Sequence, residues 1–425
     1  SLGQAHQFHL RKSGKFSSLD FVLGFFLSFL TGENSLRAWA EKISQCSGQL
    51  LSKQGLSSRL DLRLVRFSKG LLSRALEKQL FDQGQPLYSG ALFTHFPSVL
   101  IEDSTCLKLP DVLAEFFPGA YSKRLKRSTA TARIQLRYSL KAEKYTHLEI
   151  KSFRQNDQSY AYQIVSSLQK GDLVLRDLGY FVLGSFKAIL KAQGHILSRY
   201  RFGINLFHSG DKTKICLNHQ LTKVEKAGRK IWEQWVLVGK KEQVPLRLIA
   251  IRLPDSVVAH RIRKAKKNRN KKANHNSDYY ELLKWNIFLT SVGKTIWNAK
   301  QAAHAYTLRW RIEMMFKTWK SHLNLAKMFE HKQSLSYERE MIQIYLIISW
   351  MVLFLMPWYR FFSRKALKNN TLRLSIAKFT QWVKGRFNDL VLAKRLEEFW
   401  KIVQHYCLEE PRQHRMSQAQ ILCEE

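Results

Sequence analysis

The stretch YTLRWRIEMMFKTWK, Tyr306 to Lys320, decides how this chain is read. At ~100° per residue, Tyr306, Arg309, Glu313 and Lys320 fall at roughly 0°, 300°, 340° and 320°, inside an arc of about 60°. Leu308, Ile312, Met315, Trp319 and Leu323 take the other side, between roughly 180° and 260°. The spacing therefore predicts one helix with a core-facing back and a polar front. An acid among bases on that front has two readings. Glu313 pairs with Arg309 or Lys317 on a solvated surface, or the front is an active site.

The composition narrows the choice. The chain has 425 residues, 45% of them hydrophobic, which is enough for two or three domains with cores. Seventy Lys and Arg against 33 Asp and Glu give a net charge of +37. Such an excess predicts a polyanionic partner, nucleic acid first. Cys46, Cys106, Cys216, Cys407 and Cys423 form no CxxC pair, so free thiols in a reducing compartment and no zinc site are expected. SLGQAHQFHL leads to no cleavage signature, which argues against a signal peptide. FVLGFFLSFL is too short to span a bilayer. MIQIYLIISWMVLFLMPW contains Gln343, Ser349 and Pro357 and reads as a buried core helix.

Along the chain, residues 1–92 read as a helical, basic DNA-binding region. LRAWAEKIS, a break at Gly48 and an Arg-rich run to Leu80 resemble a helix-turn-helix. From 93 to 185 the pattern changes. SVLIED ends in acids, and Ile134, Leu136, Tyr138 and Leu140 alternate as a strand. AEK turns it into a second arm at Tyr145–Phe153, SYAYQIVSSLQK reads as a helix, and DLVLRD is another buried strand. A meander, a crossover helix and a fourth strand is how a ribonuclease-H-like α/β sheet begins. Residues 186–290 read as a β-rich insertion, 291–334 as the second part of the core carrying the helix above, and 335–425 as helical. Within the insertion, HRIRKAKKNRNKK has eight basic residues in thirteen and no acid. It reads as a solvated face or as a nucleic-acid contact through Arg261, Arg263, Lys264, Lys266 and Lys267.

Three acids carry the chemistry. Asp103 ends the first core strand, Asp177 ends the fourth, and Glu313 lies on the helix front. Carboxylates meeting at strand ends repel unless cations neutralise them. Hard oxygen donors suit Mg²⁺ or Mn²⁺, and two such ions about 3.5–4 Å apart support in-line phosphoryl transfer. Glu102 is an alternative to Asp103, and alternation allows only one of them on the site face. Asp177 has a second reading, as the cap of a turn at Gly179.

The ungapped pattern Tyr-x2-Arg-x3-Glu-x6-Lys resembles the YREK signature of bacterial insertion-sequence transposases of the DDE class, the IS-four family, to which the transposon-five transposase is related. Asp103-Ser104-Thr105 resembles the first-acid motif of that family, and Asp177-Leu178-Gly179-Tyr180-Phe181 its second. The resemblance spans roughly residues 35–360. It implies a cut-and-paste transposase that binds terminal inverted repeats of double-stranded DNA and cleaves by metal-assisted hydrolysis. The 3′-hydroxyl ends then join target DNA, with a hairpin stage as one route. Asp103, Asp177 and Glu313 are then the metal ligands, and Tyr306, Arg309 and Lys320 hold phosphates. Trp285 in KWNIFLTS either stacks on a flipped base or, being one residue further from Thr290 than in the best-known relative, belongs to the core. The resemblance further implies a homodimer on DNA, no membrane, and a cytoplasmic, nucleoid-associated location in a bacterium. A nuclease without strand transfer and a domesticated, non-cutting DNA-binding protein are the other readings.

Overall fold

The computed structural model describes residues 3, 8, 16–33, 35–81, 90–123, 126–267, 276–329, 336–368, 373–410 and 421. The architecture is mixed α/β. The described strands are β1 (Val99–Lys108), β2 (Pro118–Ser122), β3 (Arg127–Ser139), β4 (Lys144–Ser152), β5 (Leu173–Arg176), β6 (His195–Arg199), β7 (Leu206–His208), β8 (Ile231–Val238), β9 (Val244–Arg252) and β10 (Trp285–Thr290). The chain divides into two compact units. One holds Ser1–Tyr88, Ser104–Gln155 and Arg311–Ala419; the other holds Ser89–Asp103, Asn156–Trp310 and the last residues.

The first unit is mostly helical. Helix Ser18–Thr31 begins with a Ser17–Asp20 capping box and stops at Gly32, whose φ is 82°. It holds the FVLGFFLSFL run. Gly24 lets it approach helix Leu36–Ser47 closely: a Cβ there would sit 2.7 Å from the Ile43 backbone nitrogen. The Arg-rich run is two helices rather than one, Lys53–Ser57 and Leu62–Phe81. Asp61 causes the break, because its carboxylate accepts from the Arg63 and Leu64 amides and so caps a new helix. Helix Leu62–Phe81 packs along Tyr337–Trp350, and Gln79 Nε2 donates to the Val352 carbonyl at 2.6 Å.

The long apolar run is a core element, as expected: 78% of its most apolar window is buried. It passes through a π-helical segment, Met351–Leu355, just before Pro357. A proline there cannot donate and clashes with the carbonyl one turn back, and the wider turn relieves both. In the same unit β3 neighbours β1 and pairs antiparallel with β4 and β2. The β3–β4 turn places Glu143 at φ 49°. Its buried carboxylate binds the guanidinium groups of Arg311 and Arg373, tying the first turn of helix Trp310–Ser321 to the hairpin.

In the second unit, residues 99–102 of β1 run parallel to β5, and β5 runs parallel to β6. These strands are continuous apolar runs buried on both faces. β10, β9, β8 and β7 follow in antiparallel order beyond β6. The segment expected to be β-rich thus supplies β6–β10, interleaved with helices Leu183–Lys191, Leu217–Lys226, Asp255–Lys266 and Ser277–Leu282. The helix expected over SYAYQIVSSLQK is only Asp157–Tyr160, followed by a 3₁₀ turn at Val165–Ser167. Ser166 and Ser167 hydroxyls bond carbonyls three residues back, and Arg176 takes the Ala161 carbonyl at 2.5 Å. Both compete with an α-helical ladder.

One buried acid gives a stability test. Glu340, on helix Tyr337–Trp350, is fully buried. Burial pushes its carboxyl up to about 7, against the pull of Arg339. Between the ordinary value of 4.5 and about 7 the native state keeps a proton that the unfolded chain releases, so stability falls as pH rises through that window. Glu340→Gln should therefore stabilise the protein by on the order of 2 kcal/mol above pH 7 and by nothing below about pH 4.5. Urea unfolding of both proteins at the two ends of the window checks this; a gain independent of pH contradicts it.

Candidate active site

The site is set by strand register. Glu102 of β1 lies beside Arg176 of β5, so the next positions along are Asp103 and Asp177. Glu102 and Arg176 point to one face and form a buried pair, with Arg176 Nη2 and Nε donating to Glu102 Oε2 at 2.7 and 3.0 Å. Arg176 also donates to Ser185 Oγ at 2.7 Å. Glu102 is thus a structural residue, and alternation leaves Asp103 for the other face. Asp103 is not at a strand end, because β1 continues to Lys108. It stands where the partner strand β5 stops. Asp177 follows β5 directly and makes no side-chain cap bond. Gly179 has no positive φ; its lack of a Cβ lets Asp157 come close.

Arg309 lies against both acids. Its Nη1 donates to Asp103 Oδ2 at 3.3 Å, and its Nε is 3.9 Å from Asp177 Oδ1. The Tyr306 hydroxyl donates to Asp177 Oδ1 at 3.5 Å. Burial pushes that phenol up to about 12, so it stays a donor. The Tyr306 ring packs on Phe288 at 5.3 Å and carries the Arg199 guanidinium at 5.6 Å and that of Arg309 at 5.8 Å. Tyr306 and Arg309 are both buried, at 7% and 8% exposure, so here they face acids rather than solvent.

The single helix expected over Tyr306–Lys320 is two. Helix Ala299–Thr307 ends, and Trp310–Ser321 begins after a turn in which the Arg309 amide donates to the Tyr306 carbonyl. The Thr307 hydroxyl bonds the His304 carbonyl instead of extending the helix. Arg309 is therefore a turn residue. The apolar back is as expected: Leu308, Ile312, Met315, Trp319 and Leu323 are all buried. Glu313 and Lys320 share one helix and are both half-buried; they belong to the first unit. Asp103, Asp177, Tyr306 and Arg309 belong to the second, which brings those four together. Among the described residues no three His, Cys, Asp or Glu side chains converge as a ready metal cluster.

The DNA contacts expected from the insertion divide. Trp285 is 4% exposed and packs in the core with Ile287 and Leu289. Its side chain takes the core face of β10, opposite Phe288, so the stacking role is corrected to a core role. Arg261 is half-buried and donates to the Trp285 carbonyl at 3.3 Å and Asn286 Oδ1 at 2.6 Å, pinning helix Asp255–Lys266 to β10. Arg263, Lys264, Lys266 and Lys267 are exposed on or just after that helix. Residues 268–272 of the basic run lie outside the described residues. Sequence reading missed Arg199. It lies one strand beyond Asp177, since β6 pairs Ser198 with Arg176. HILSR ends in a charge after an apolar run, the signal that selected Asp177.

Comparison with known proteins bears on the family. Residues 94–352 match the transposase DDE domain family. The transposase for insertion sequence element IS231B of Bacillus thuringiensis subsp. berliner is 27% identical over 353 residues, 79% of this chain and 72% of that protein. The transposase for IS231F of Bacillus thuringiensis subsp. israelensis is 25% identical over 352 residues, with the same shares. A cryo-EM structure of the piggyBac transposase synaptic complex with hairpin DNA superposes with a TM-score of 0.40 at 10% identity, over 98% of this chain and 82% of that one. With its family match covering more than half its length, the chain belongs to the DDE transposase family.

Proposed function

We propose that this transposase is a cut-and-paste enzyme of the IS-four type, related to the transposon-five transposase. It binds terminal inverted repeats as a homodimer, cuts the DNA at them and joins the 3′-hydroxyl ends to target DNA. The observation that carries the reading is the pair Asp103 and Asp177 flanking one cationic group. A ribonuclease-H-like core is supported by a meander beside β1 and two parallel strands after it.

The donor set fits a hard divalent cation. Two half-buried carboxylates already share a positive charge, and their oxygens are the ligand type Mg²⁺ and Mn²⁺ take. Asp103 and Asp177 would hold the ion or ions, with Glu313 as the third acid by its motif. When bound, they supply Lewis-acid activation of water or a 3′-hydroxyl and charge neutralisation at the leaving oxygen. The protein's own groups do the rest. Tyr306 keeps its proton and donates a hydrogen bond. Arg309 and Lys320 are the cations for phosphate, Arg as a fork and Lys as a point charge. Lys264, Lys266, Lys267 and Arg263 offer a basic strip for the backbone of the duplex. A cytoplasmic, nucleoid-associated location follows from that partner.

A linear duplex carrying the terminal inverted repeat, incubated with Mg²⁺, should be nicked and joined to a second DNA. No nicking removes the enzyme reading in favour of a non-cutting DNA-binding protein; nicking without joining favours a nuclease. Asp103→Asn and Glu313→Gln should each lower cleavage by roughly three orders of magnitude, the scale on which loss of a catalytic group is felt, while end binding in a gel-shift assay stays intact. Full cleavage by either variant refutes its role. Lys320→Ala should weaken end binding and reduce the slope of log K against log salt by about one; an unchanged slope counts against a phosphate contact.

A further inference from the structure

We infer that Phe202 and Tyr279 form a stacking platform for unpaired DNA, with Arg201 and Arg261 holding the phosphates of that strand. The inference rests on the DNA-cutting reading above for the source of such a strand, because cutting at a duplex end frees nucleotides from their partners.

The loop after β6 presents an aromatic ring on a fixed tip. The Ile204 amide donates to the Arg201 carbonyl at 3.3 Å, which closes a four-residue turn. Gly203, the third residue of that turn, has φ 83°, the conformation such a position reserves for glycine. The Tyr200 hydroxyl donates to the Ile204 carbonyl at 3.2 Å and braces the loop. Phe202 therefore stands at the tip, 45% exposed. Its ring meets Tyr279 at 5.2 Å with planes 83° apart. Tyr279 is in turn placed by the N-cap of helix Ser277–Leu282, where its amide donates to Asn276 Oδ1 at 3.0 Å. An edge-to-face pair holds both rings in place and leaves a ring face open. The tip is close to the site. Phe202 is three residues, at most about 11 Å of chain, beyond Arg199, whose guanidinium lies on the Tyr306 ring.

A single exposed Phe at a turn is ordinary; the charges around this one set it apart. Arg199 and Arg201 are exposed on the same segment, and Arg261 is half-buried. Among the described residues none of the three forms an ion pair. Arg261 is fixed instead by the Trp285 carbonyl and Asn286 Oδ1. Burial, and then the charge of Arg199, pull the Arg261 guanidinium below its ordinary pKa, while nearby Tyr279 acts in the opposite direction. So these arginines gather at the aromatic pair without an acid to balance them. Glu281, on the same helix as Tyr279, is taken by Lys284 at 2.6 Å. Cations interleaved with aromatic rings suit a strand whose bases are unstacked: the ring takes the face of a base and the cations take the backbone. In an intact duplex the base faces are closed to a side chain, so Phe202 has nothing to offer it.

Fluorescence anisotropy without metal tests this. The probes are a fluorescein-labelled oligo-dT single strand and a labelled duplex carrying the terminal inverted repeat. Phe202→Ala should bind the single strand about tenfold more weakly, the scale of one lost base stack, and should bind the duplex as wild type does. Phe202→Trp should keep single-strand binding. A 2-aminopurine in the single strand should be quenched by wild type and less so by Phe202→Ala, which reports stacking directly. Equal single-strand affinity in wild type and Phe202→Ala overturns the platform, and so does an equal loss on single strand and duplex. Phe202-dependent binding by a protein that never cuts the end duplex sinks the cutting reading and leaves the platform standing. Cutting with single-strand binding indifferent to Phe202 does the reverse.

Discussion

The buried pair of Glu102 and Arg176 is the constraint on which the site depends. A carboxylate and a guanidinium removed from water are tolerated only together and well hydrogen-bonded. Arg176 meets that condition by gripping Glu102, Ser185 and the Ala161 carbonyl at once. The pair fixes the register of β1 against β5, and the register fixes everything next to it. With Glu102 and Arg176 committed to one face, Asp103 and Asp177 are adjacent on the other. Arg309 lies against both of them.

The same arrangement explains why Tyr306 and Arg309, from the expected polar front, do not lie on a solvated stripe. Tyr306 and Arg309 are turned inward to the acids. The turn after Thr307 separates them from the helix that carries Glu313 and Lys320. That helix is anchored at its own start, where Arg311 meets the Glu143 carboxylate in the β3–β4 turn. Its apolar back is buried along its whole length.

Much of this was legible in the sequence because it follows from short-range pattern. Apolar runs ending in charge located Asp177 and the strands around it. Alternation located the β3–β4 hairpin, and helical spacing located the buried back from Leu308 to Leu323. What was not legible depended on tertiary partners. Nothing local shows that β5 ends one residue before the level of Asp103, so β1 was expected to stop there too. The break after Thr307 comes from side chains that bond the backbone and reach for acids far away in sequence. Trp285 had two readings by motif, base stacking or core, and alternation with Ile287 and Leu289 buries it. Arg261 looked like one more cation in a basic run, and only the contact with Asn286 shows that it braces β10.

The most direct measurement is an anomalous difference map from crystals of the protein soaked in Mn²⁺ with DNA ends bound. The account predicts a peak contacting carboxylate oxygens of both Asp103 and Asp177. A peak elsewhere would contradict it.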